Sequence, residues 1–488
     1  MSSQITNKIK SDKLIQQIKT FAKNTKVLLV GGVIRDFCLG KENHDKDIIV
    51  VEKDAKIFAQ ELAKELDATY IPLDEINHIY RLVLRDKINF IDITNPIENS
   101  LQKDLERRDL RMNAIAYDLQ DDKFIDLFSG FKDLNDEKIN IISEQNLVDD
   151  PLRLLRIFRF QAITGFDIDE NLIKIVKQHK NLINKPAKER INYELMKLFS
   201  GNYTVKALEN LDKSGLLCEI LPIFNDVKKV PPNSHHHLPL IGHSIETVRQ
   251  IQNFYKIANK EVKNHLDRID FGGFTRLAHL KLAGFMHDIG KFSCWTIEDT
   301  GRHRFIKHEL VGADMCKPIL RNLKFSKKQI EYIEAMIRYH IYPSNIIVTE
   351  GLSDKTKMRY IRRMGDNVID NIIVAMSDRL SARGEAITDE IVRNNITGLQ
   401  SLLKYYLEVK DTLKPLPKLL SGEEIMKIKN IKPSKELGEI IDALKEAQFN
   451  GDITTKEQAT KFVEKYYKKV RVCFANSHFF AITHLYGI

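Results

Sequence analysis

The chain has no pattern of paired cysteines: its five, Cys38, Cys218, Cys294, Cys316 and Cys473, lie far apart without a CxxC spacing. That speaks against a disulfide framework and for reduced thiols. No apolar signal-peptide core follows the opening MSSQITNKIK, and no stretch is apolar and uncharged for long enough to span a bilayer. The nearest is the short tail VCFANSHFFAITHLYGI, which is expected to pack or fray at the end of the chain. The expectation is a cytoplasmic protein with no membrane partner. Neither a repeat of fixed period nor a low-complexity tract is visible.

What is present is a globular composition, 43% hydrophobic and 29% charged, over 488 residues. That length exceeds what one hydrophobic core usually serves, so several domains are expected. Lys plus Arg outnumber Asp plus Glu by 76 to 67, a net charge of +9. This excess suits a polyanionic partner, although in a long chain it is also ordinary solvation.

The first quarter reads as mixed α/β. Helical periodicity at residues 11 to 24 precedes strand-like VLLV, DIIVV, RLVLR and FIDIT, with a helix around FAQELAKEL. From about residue 145 long helical patterns dominate, broken where prolines cluster at KKVPPNSHHHLP and LKPLPKLLSG.

The stretch LLVGGVIRDFCLGKENHDKDIIVV, residues 28 to 51, carries the first chemical signal. On a strand, Asp45 and Asp47 point to one face, where a divalent cation can sit between them. Gly31 and Gly32 lie one strand away, with backbone free to approach a large anion. An isolated DxD is more often a solvated edge, but here ERRDLRMNAIAYD, DLFSGFKDL and DDPLRLLRIFRF follow, each placing charge in an apolar setting.

With these motifs in order, the chain resembles the class II tRNA nucleotidyltransferases and their bacterial poly(A) polymerase relatives. Gly31-Gly32-Val33-Ile34-Arg35-Asp36 with Asp45 and Asp47 is similar to the family's first motif, and Arg107-Arg108-Asp109 with Asn113-Ala114 to its second. Asp126, Gly130 and Asp133-Leu134 resemble the third; Asp149-Asp150-Pro151-Leu152-Arg153 with Arg156 resembles the fourth. Glu189-Arg190-Ile191 with Glu194-Leu195 is a weaker fifth match. The resemblance implies an α+β protein with a polymerase-β-like head followed by an all-helical neck and body.

The implied chemistry is in-line attack of an RNA 3′ hydroxyl on the α-phosphate of CTP or ATP, with tRNA as acceptor. Asp45 and Asp47 would hold Mg2+, with Asp92 a candidate third carboxylate or equally a solvated strand residue. Gly31, Gly32 and Arg35 would cradle the triphosphate. Arg108, Asp109 and Asn113 read as one helix, with Asp109 and Asn113 on a shared face that by resemblance contacts the ribose. Asp150 and Arg153 would select C and A by pairing with the base edge, held by Asp149 and Arg156, with Arg190 also at the nucleotide. A helix N-terminus with acids suiting its dipole is the plainer reading of DDPLR.

Two departures stand out. Leu110-Arg111-Met112 replaces the family's usual Phe-Thr-Ile or Leu-Thr-Ile, which puts an extra arginine beside the expected nucleotide site. The segment between Leu82 and Leu105 is compact, without the loop insertion of complete CCA-adding members, and so resembles members that add only CC or only A.

Further along, His243, His287-Asp288 and Asp378 match the H…HD…D order of an HD-type metal phosphohydrolase, with His308 and His340 where two-metal variants place extra histidines. Such ligands suit Mn, Fe, Ni or Zn, or Mg2+. The HHH at 235 to 237 reads as linker or rim. From residue 420 the chain resembles the C-terminal helical module of longer members, with Ser434-Lys435 where Gly-Pro is usual. The expected domains are a head (1–145), a neck and RNA-binding region (146–225), an HD domain (226–410) and a C-terminal RNA-binding module with the tail (411–488). Poly(A) addition, a primarily HD phosphohydrolase activity and an inactive RNA scaffold are the competing functions; oligomeric state is open.

Overall fold

The structure is a computed structural model and describes residues 2–413 and 416–465. The apolar tail expected to pack or fray lies outside the described residues. The chain divides into two compact units, residues 1–232 with 238–335 and residues 233–237 with 336–488. The expected borders near 145 and 225 fall inside the first unit. The reason is continuous helix packing: Lys188–Ser200 contacts both Arg153–Thr164 and Arg276–Met286.

A seven-stranded sheet forms the head. Its strands are β1 (Val27–Val30), β2 (Asp45–Val50), β3 (Thr69–Asp74), β4 (Ile79–Val83), β5 (Phe90–Thr94), β6 (Ile115–Asp118) and β7 (Lys123–Asp126), in the order β3-β4-β5-β2-β1-β6-β7. Four of them, β1, β2, β4 and β5, coincide with the apolar runs expected to be strands. The others were not foreseen. β3 carries Pro72, which cannot donate to a ladder and is tolerated because β3 lies at the sheet edge. β2 and β5 run parallel while their other pairings are antiparallel, so Asp47 lies opposite Asp92 across the β2–β5 pair and opposite Val30 across the β1–β2 pair.

The N-terminal helix Lys13–Phe21 is capped by Asp12, whose carboxylate accepts from the Ile15 N–H at 3.0 Å. Asp12 also pairs with the buried Lys46 ammonium at 3.1 Å. Lys46 lies between Asp45 and Asp47 in β2, so the alternation of the strand turns it to the opposite face and leaves both aspartates on one side.

From Gln145 onward the described residues form helices, apart from the short hairpin of β8 (Trp295–Ile297) and β9 (His303–Phe305). Within the first unit the helix Arg276–Met286 is buried on all sides. Phe285 stacks on Phe224 with centroids 4.5 Å apart and tilts against Phe199 at 6.0 Å. Lys281 is buried there as well: desolvation lowers its ammonium to about 7, and its Nζ donates to the Gly201 carbonyl at 2.7 Å. In the second unit, residues 235 to 237 form a loop, with Gly384 donating to the His235 carbonyl at 3.0 Å. Ser434 caps the helix Lys435–Asn450 by accepting from the Leu437 N–H. The Ser-Lys pair therefore starts a helix, where a Gly-Pro turn was the family's usual choice.

The junction between Arg153–Thr164 and Thr204–Lys213 has no room for a side chain at Gly201, where a Cβ would stand 2.2 Å from the Ala162 carbonyl oxygen. We expect Gly201→Ala to destabilise the first unit by about 2 kcal/mol through forced backbone displacement, read as a lower thermal unfolding midpoint.

Candidate active site

One cleft of about 600 Å³ in the head gathers most of the residues singled out from the sequence. Asp45, Asp47 and Asp92 each bring a carboxylate oxygen within 4.8 Å of the others. Burial is the main cause that raises the Asp47 carboxyl to about 7; Arg108 opposes it, while the charges of Asp45 and Asp92 add to it. Asp45 is raised in the same sense, by desolvation first and by Asp92 second. Three hard oxygen donors of like charge this close together are a fitting set for a divalent cation, which relieves their repulsion.

Gly31 sits at the tightest point beside them. Its φ of 76° is in the left-handed region, and a Cβ would meet Arg108 Nη1 at 2.8 Å and Asp47 Oδ2 at 2.9 Å. The Gly31 N–H points to the Ile115 carbonyl at 3.4 Å, so Gly31 serves close approach of the strands and side chains more directly than phosphate binding. Gly32 opens the short helix Gly32–Cys38. Arg35, on that helix, is gripped by Asp36 Oδ1 and donates Nη1–H to Asn113 Oδ1 at 2.6 Å, with its plane 4.8 Å from the Phe160 ring centre.

Arg108, Asp109 and Asn113 do not share one helix. The helix Leu101–Glu106 ends before them, and a 3-10 turn covers Arg111–Asn113. Asp109 accepts the Leu110 N–H on its own carboxylate at 2.8 Å, a local bond that competes with helix continuation. The turn still brings Asn113 Nδ2 to Asp109 Oδ1 at 2.8 Å. Arg108 pairs with the buried Asp104 at 3.2 Å. Asp104, which also holds Arg107, was not recognised in the sequence, since a single acid in an amphipathic helix gives no signal of burial.

The DDPLR segment divides. Asp150 and Arg153 line the cleft, and Arg190 reaches Asp150 at 3.2 Å without lining the cleft itself. Asp149 does not join them: it is exposed and accepts from Gln145 Nε2 at 2.8 Å. Arg156 does not hold Asp150 or Arg153 either. It chelates Asp109 Oδ2 at 2.8 and 2.6 Å and also pairs with Glu194 at 3.3 Å. Arg153 instead donates to the Asn146 carbonyl at 2.9 Å. Arg111, the unusual arginine of the second motif, donates to the Ile141 carbonyl and lines a different pocket. Arg159, Phe160 and Lys197 line the cleft and were missed, although Arg159 is one helical turn from Arg156.

In the helical part of the first unit, His243, His287, Asp288 and His308 converge. Asp288 lies 3.3 Å from His243 Nε2, 3.1 Å from His287 Nε2 and 3.2 Å from His308 Nε2. His287 Nδ1 faces the Gly284 carbonyl at 2.7 Å and His308 Nδ1 the Phe305 carbonyl at 2.8 Å. A carbonyl accepts the Nδ1 proton, which leaves both Nε2 lone pairs aimed at Asp288, a fitting donor set for a metal ion. His340, with Nδ1 facing the Ile337 carbonyl at 2.7 Å, and Asp378, in the helix Val368–Ser381, belong to the second unit.

A strand-borne trio of carboxylates under a cationic cleft defines the class: a divalent-cation nucleotidyltransferase head. Comparison with known proteins agrees. Residues 27–140 match the poly A polymerase head domain, residues 165–228 the probable RNA and SrmB-binding site of polymerase A, and residues 240–383 the HD domain. The CC-adding tRNA nucleotidyltransferase of Thermus thermophilus is 29% identical over 89% of this chain and 92% of its own. The A-adding tRNA nucleotidyltransferase of Deinococcus radiodurans is 27% identical over 90% and 95%. The fold matches the Thermotoga maritima CCA-adding enzyme complexed with tRNA at a TM-score of 0.57 and 20% identity, covering 95% of this chain and 98% of that one. The chain thus carries a poly A polymerase head, an RNA-binding region and an HD domain in this order, and is similar to tRNA nucleotidyltransferases over about nine-tenths of its length.

The Asp109–Arg156 pair gives a stability prediction. Burial would raise the Asp109 carboxyl, but Arg156 and the bonds from Asn113 and Leu110 bring it down to about 2. A depressed folded-state value contributes stability above the ordinary aspartate range and loses it as pH falls toward 2. Asp109→Asn is expected to cost about 3 kcal/mol at neutral pH, because Arg156 loses a buried partner. The difference in urea midpoint between the two proteins should shrink steadily below about pH 4.

Proposed function

We propose that the chain is a tRNA 3′-terminal nucleotidyltransferase that adds C, A or both from CTP and ATP, using Mg2+ at Asp45 and Asp47. The observation that carries the reading is the cleft itself, where a carboxylate trio faces Arg35, Arg108, Arg153 and Lys197. Bound divalent ions would supply charge neutralisation at the α-phosphate and lower the proton affinity of the attacking hydroxyl.

The chain's own residues do the positioning. Asp45 and Asp47 would hold the divalent cation that draws in the α-phosphate, and Asp92 is a third donor beside them. Arg35 and Arg108 place positive charge along the triphosphate, and their partners Asp36 and Asp104 hold them oriented before the nucleotide arrives. Asp109 and Asn113 suit the ribose. Asp150 and Arg153 offer an acceptor and a donor fork to a base edge, with Arg190 steadying Asp150. Net positive charge suits tRNA, and the location that goes with the free thiols of Cys38, Cys218 and Cys294 is the cytoplasm.

Restricted addition is favoured over complete CCA synthesis. Between Leu82 and Leu105 the chain is tied down: Asp86 accepts from Ile88 and Asn89 to close a tight turn, and Asn95 Nδ2 donates to the Val50 and Lys53 carbonyls at 2.9 and 2.8 Å. The two relatives named above, covering about nine-tenths of the chain, are specialised for CC and for A. Switching from C to A requires the head to readjust around a fixed Asp150-Arg153 pair, and this locked segment opposes it. The HD cluster is a second metal site, for Mn, Fe, Ni, Zn or Mg2+, suited to phosphoester hydrolysis. No helix among the described residues is long and apolar enough to cross a membrane.

Purified protein, offered CTP and ATP separately with tRNA ending at the discriminator base, at C or at CC, should extend only some of these ends. Completion of CCA by this chain alone would overturn the restriction, and open-ended A addition on unrelated RNA would favour a poly(A) polymerase. Asp47→Asn should reduce incorporation to background while tRNA binding persists, because affinity comes from Lys and Arg contacts to phosphate. Changing His287 and Asp288 to Ala should leave nucleotide addition intact and remove any metal-dependent phosphatase or phosphodiesterase activity. Loss of addition in that folded variant would show that the two centres are not independent.

A further inference from the structure

A fourth charged side chain belongs to the carboxylate row. In the pairing of β4 with β5, Arg81 stands directly opposite Asp92, which itself stands opposite Asp47 across the β5–β2 pair. Val30, Asp47, Asp92 and Arg81 thus form one continuous row across four strands of the sheet. Arg81 engages both oxygens of Asp92, Nε to Oδ1 at 2.7 Å and Nη2 to Oδ2 at 2.6 Å, and its Nη2 stands 3.8 Å from Asp45 Oδ1. The Phe90 ring lies 5.4 Å from the guanidinium carbon and limits where the fork can swing. Nothing in the linear sequence pairs Arg81 with the motif aspartates, because the link runs through strand register.

An ordinary cross-strand salt bridge would satisfy Asp92 and end there. This one also presents its charge to a second member of the trio, so one fixed cation is shared by two of the three carboxylates. A guanidinium stays protonated at any working pH, so its charge cannot be switched off. An incoming dication meets a trio already partly neutralised, and one ligand, Asp92, whose two oxygens are both engaged.

We infer, on the reading of this cleft as a divalent-cation site, that Arg81 is a resident counter-ion which weakens cation binding at the trio and keeps Asp92 oriented in the metal-free protein. The consequence is an exchangeable cation: one that loads with nucleotide, whose phosphates add oxygen ligands and negative charge, instead of residing permanently. Substituting Arg81 by a neutral residue makes the trio a tighter binder of the free ion.

The test uses Mn2+ alone with the full chain, following free Mn2+ by electron paramagnetic resonance. Binding at the head is defined as the component lost in Asp47→Asn. Arg81→Gln and Arg81→Met are both examined, so that misfolding of one, seen by circular dichroism, leaves the other. The expected result is an increase in head-site Mn2+ affinity of about fivefold or more in the neutral variants, and near-parental affinity in Arg81→Lys, which keeps the charge without the fork. Unchanged or weaker binding in both neutral variants overturns the inference and makes Arg81 a purely structural partner of Asp92. If Asp47→Asn removes no bound Mn2+, the assignment of the trio as a cation site fails, and the inference fails with it. The two failures are therefore distinguishable.

Discussion

Repulsion among three carboxylates is the constraint around which the head is built. The parallel pairing of β2 with β5 sets Asp47 opposite Asp92, and the alternation of β2 adds Asp45 to the same face. A trio like this is unfavourable on its own, since each negative charge raises the cost of the next. The sheet offsets the cost with cations from separate elements. Arg108 comes from the loop after Leu101–Glu106 and is anchored by a buried Asp104; Arg81 comes from the neighbouring strand. Gly31 lacks a side chain so that Asp47 and Arg108 can approach one another over its backbone.

From that centre a chain of alternating charges runs into the helical neck. Asp36 holds Arg35, Arg35 holds Asn113, Asn113 and Arg156 hold Asp109, and Glu194 pairs with both Arg156 and Arg159. Apart from Asp36, which holds its neighbour Arg35 on the same helix, each ion in the series has a partner on a different element, so turning one unpairs another. The cleft is therefore preorganised: its cationic and carboxylate side chains are held at fixed positions by one another. The neck helix Lys188–Ser200 takes part through Glu194 and Lys197, and it also packs on the fully buried helix that leads to His287 and Asp288. The head cleft and the histidine cluster of the first unit thus share one structural spine while using different residues.

Legibility in the sequence followed locality. The DxD, the glycine pair and the DDPLR segment could be found because their residues are neighbours in the chain, and four strands were readable from apolar runs. A helix through Arg108, Asp109 and Asn113 was expected from their spacing of four, yet Asp109 satisfies its own backbone and the chain turns instead. Arg156 was expected by resemblance to hold Asp150 and Arg153, and it chelates Asp109 instead, because the helix Arg153–Thr164 points it across the cleft and not back along its own turn. Asp149, though adjacent to Asp150, faces solvent at the end of its short helix.

What the amino-acid sequence determined by itself is the chemistry available and the order of its parts: two aspartates at strand spacing, a basic balance, histidines in the HD order, and the motif order that marks the family. Tertiary structure alone decided which charges meet. Strand register, which depends on hydrophobic faces and crossovers far from the charged residues, put Asp92 beside Asp47 and Arg81 beside Asp92. Helix packing brought Glu194 to Arg156 and Lys281 to Gly201. Coulomb interaction and desolvation depend on separations of a few ångströms in space, and separation along the chain carries that information only where the backbone is locally regular.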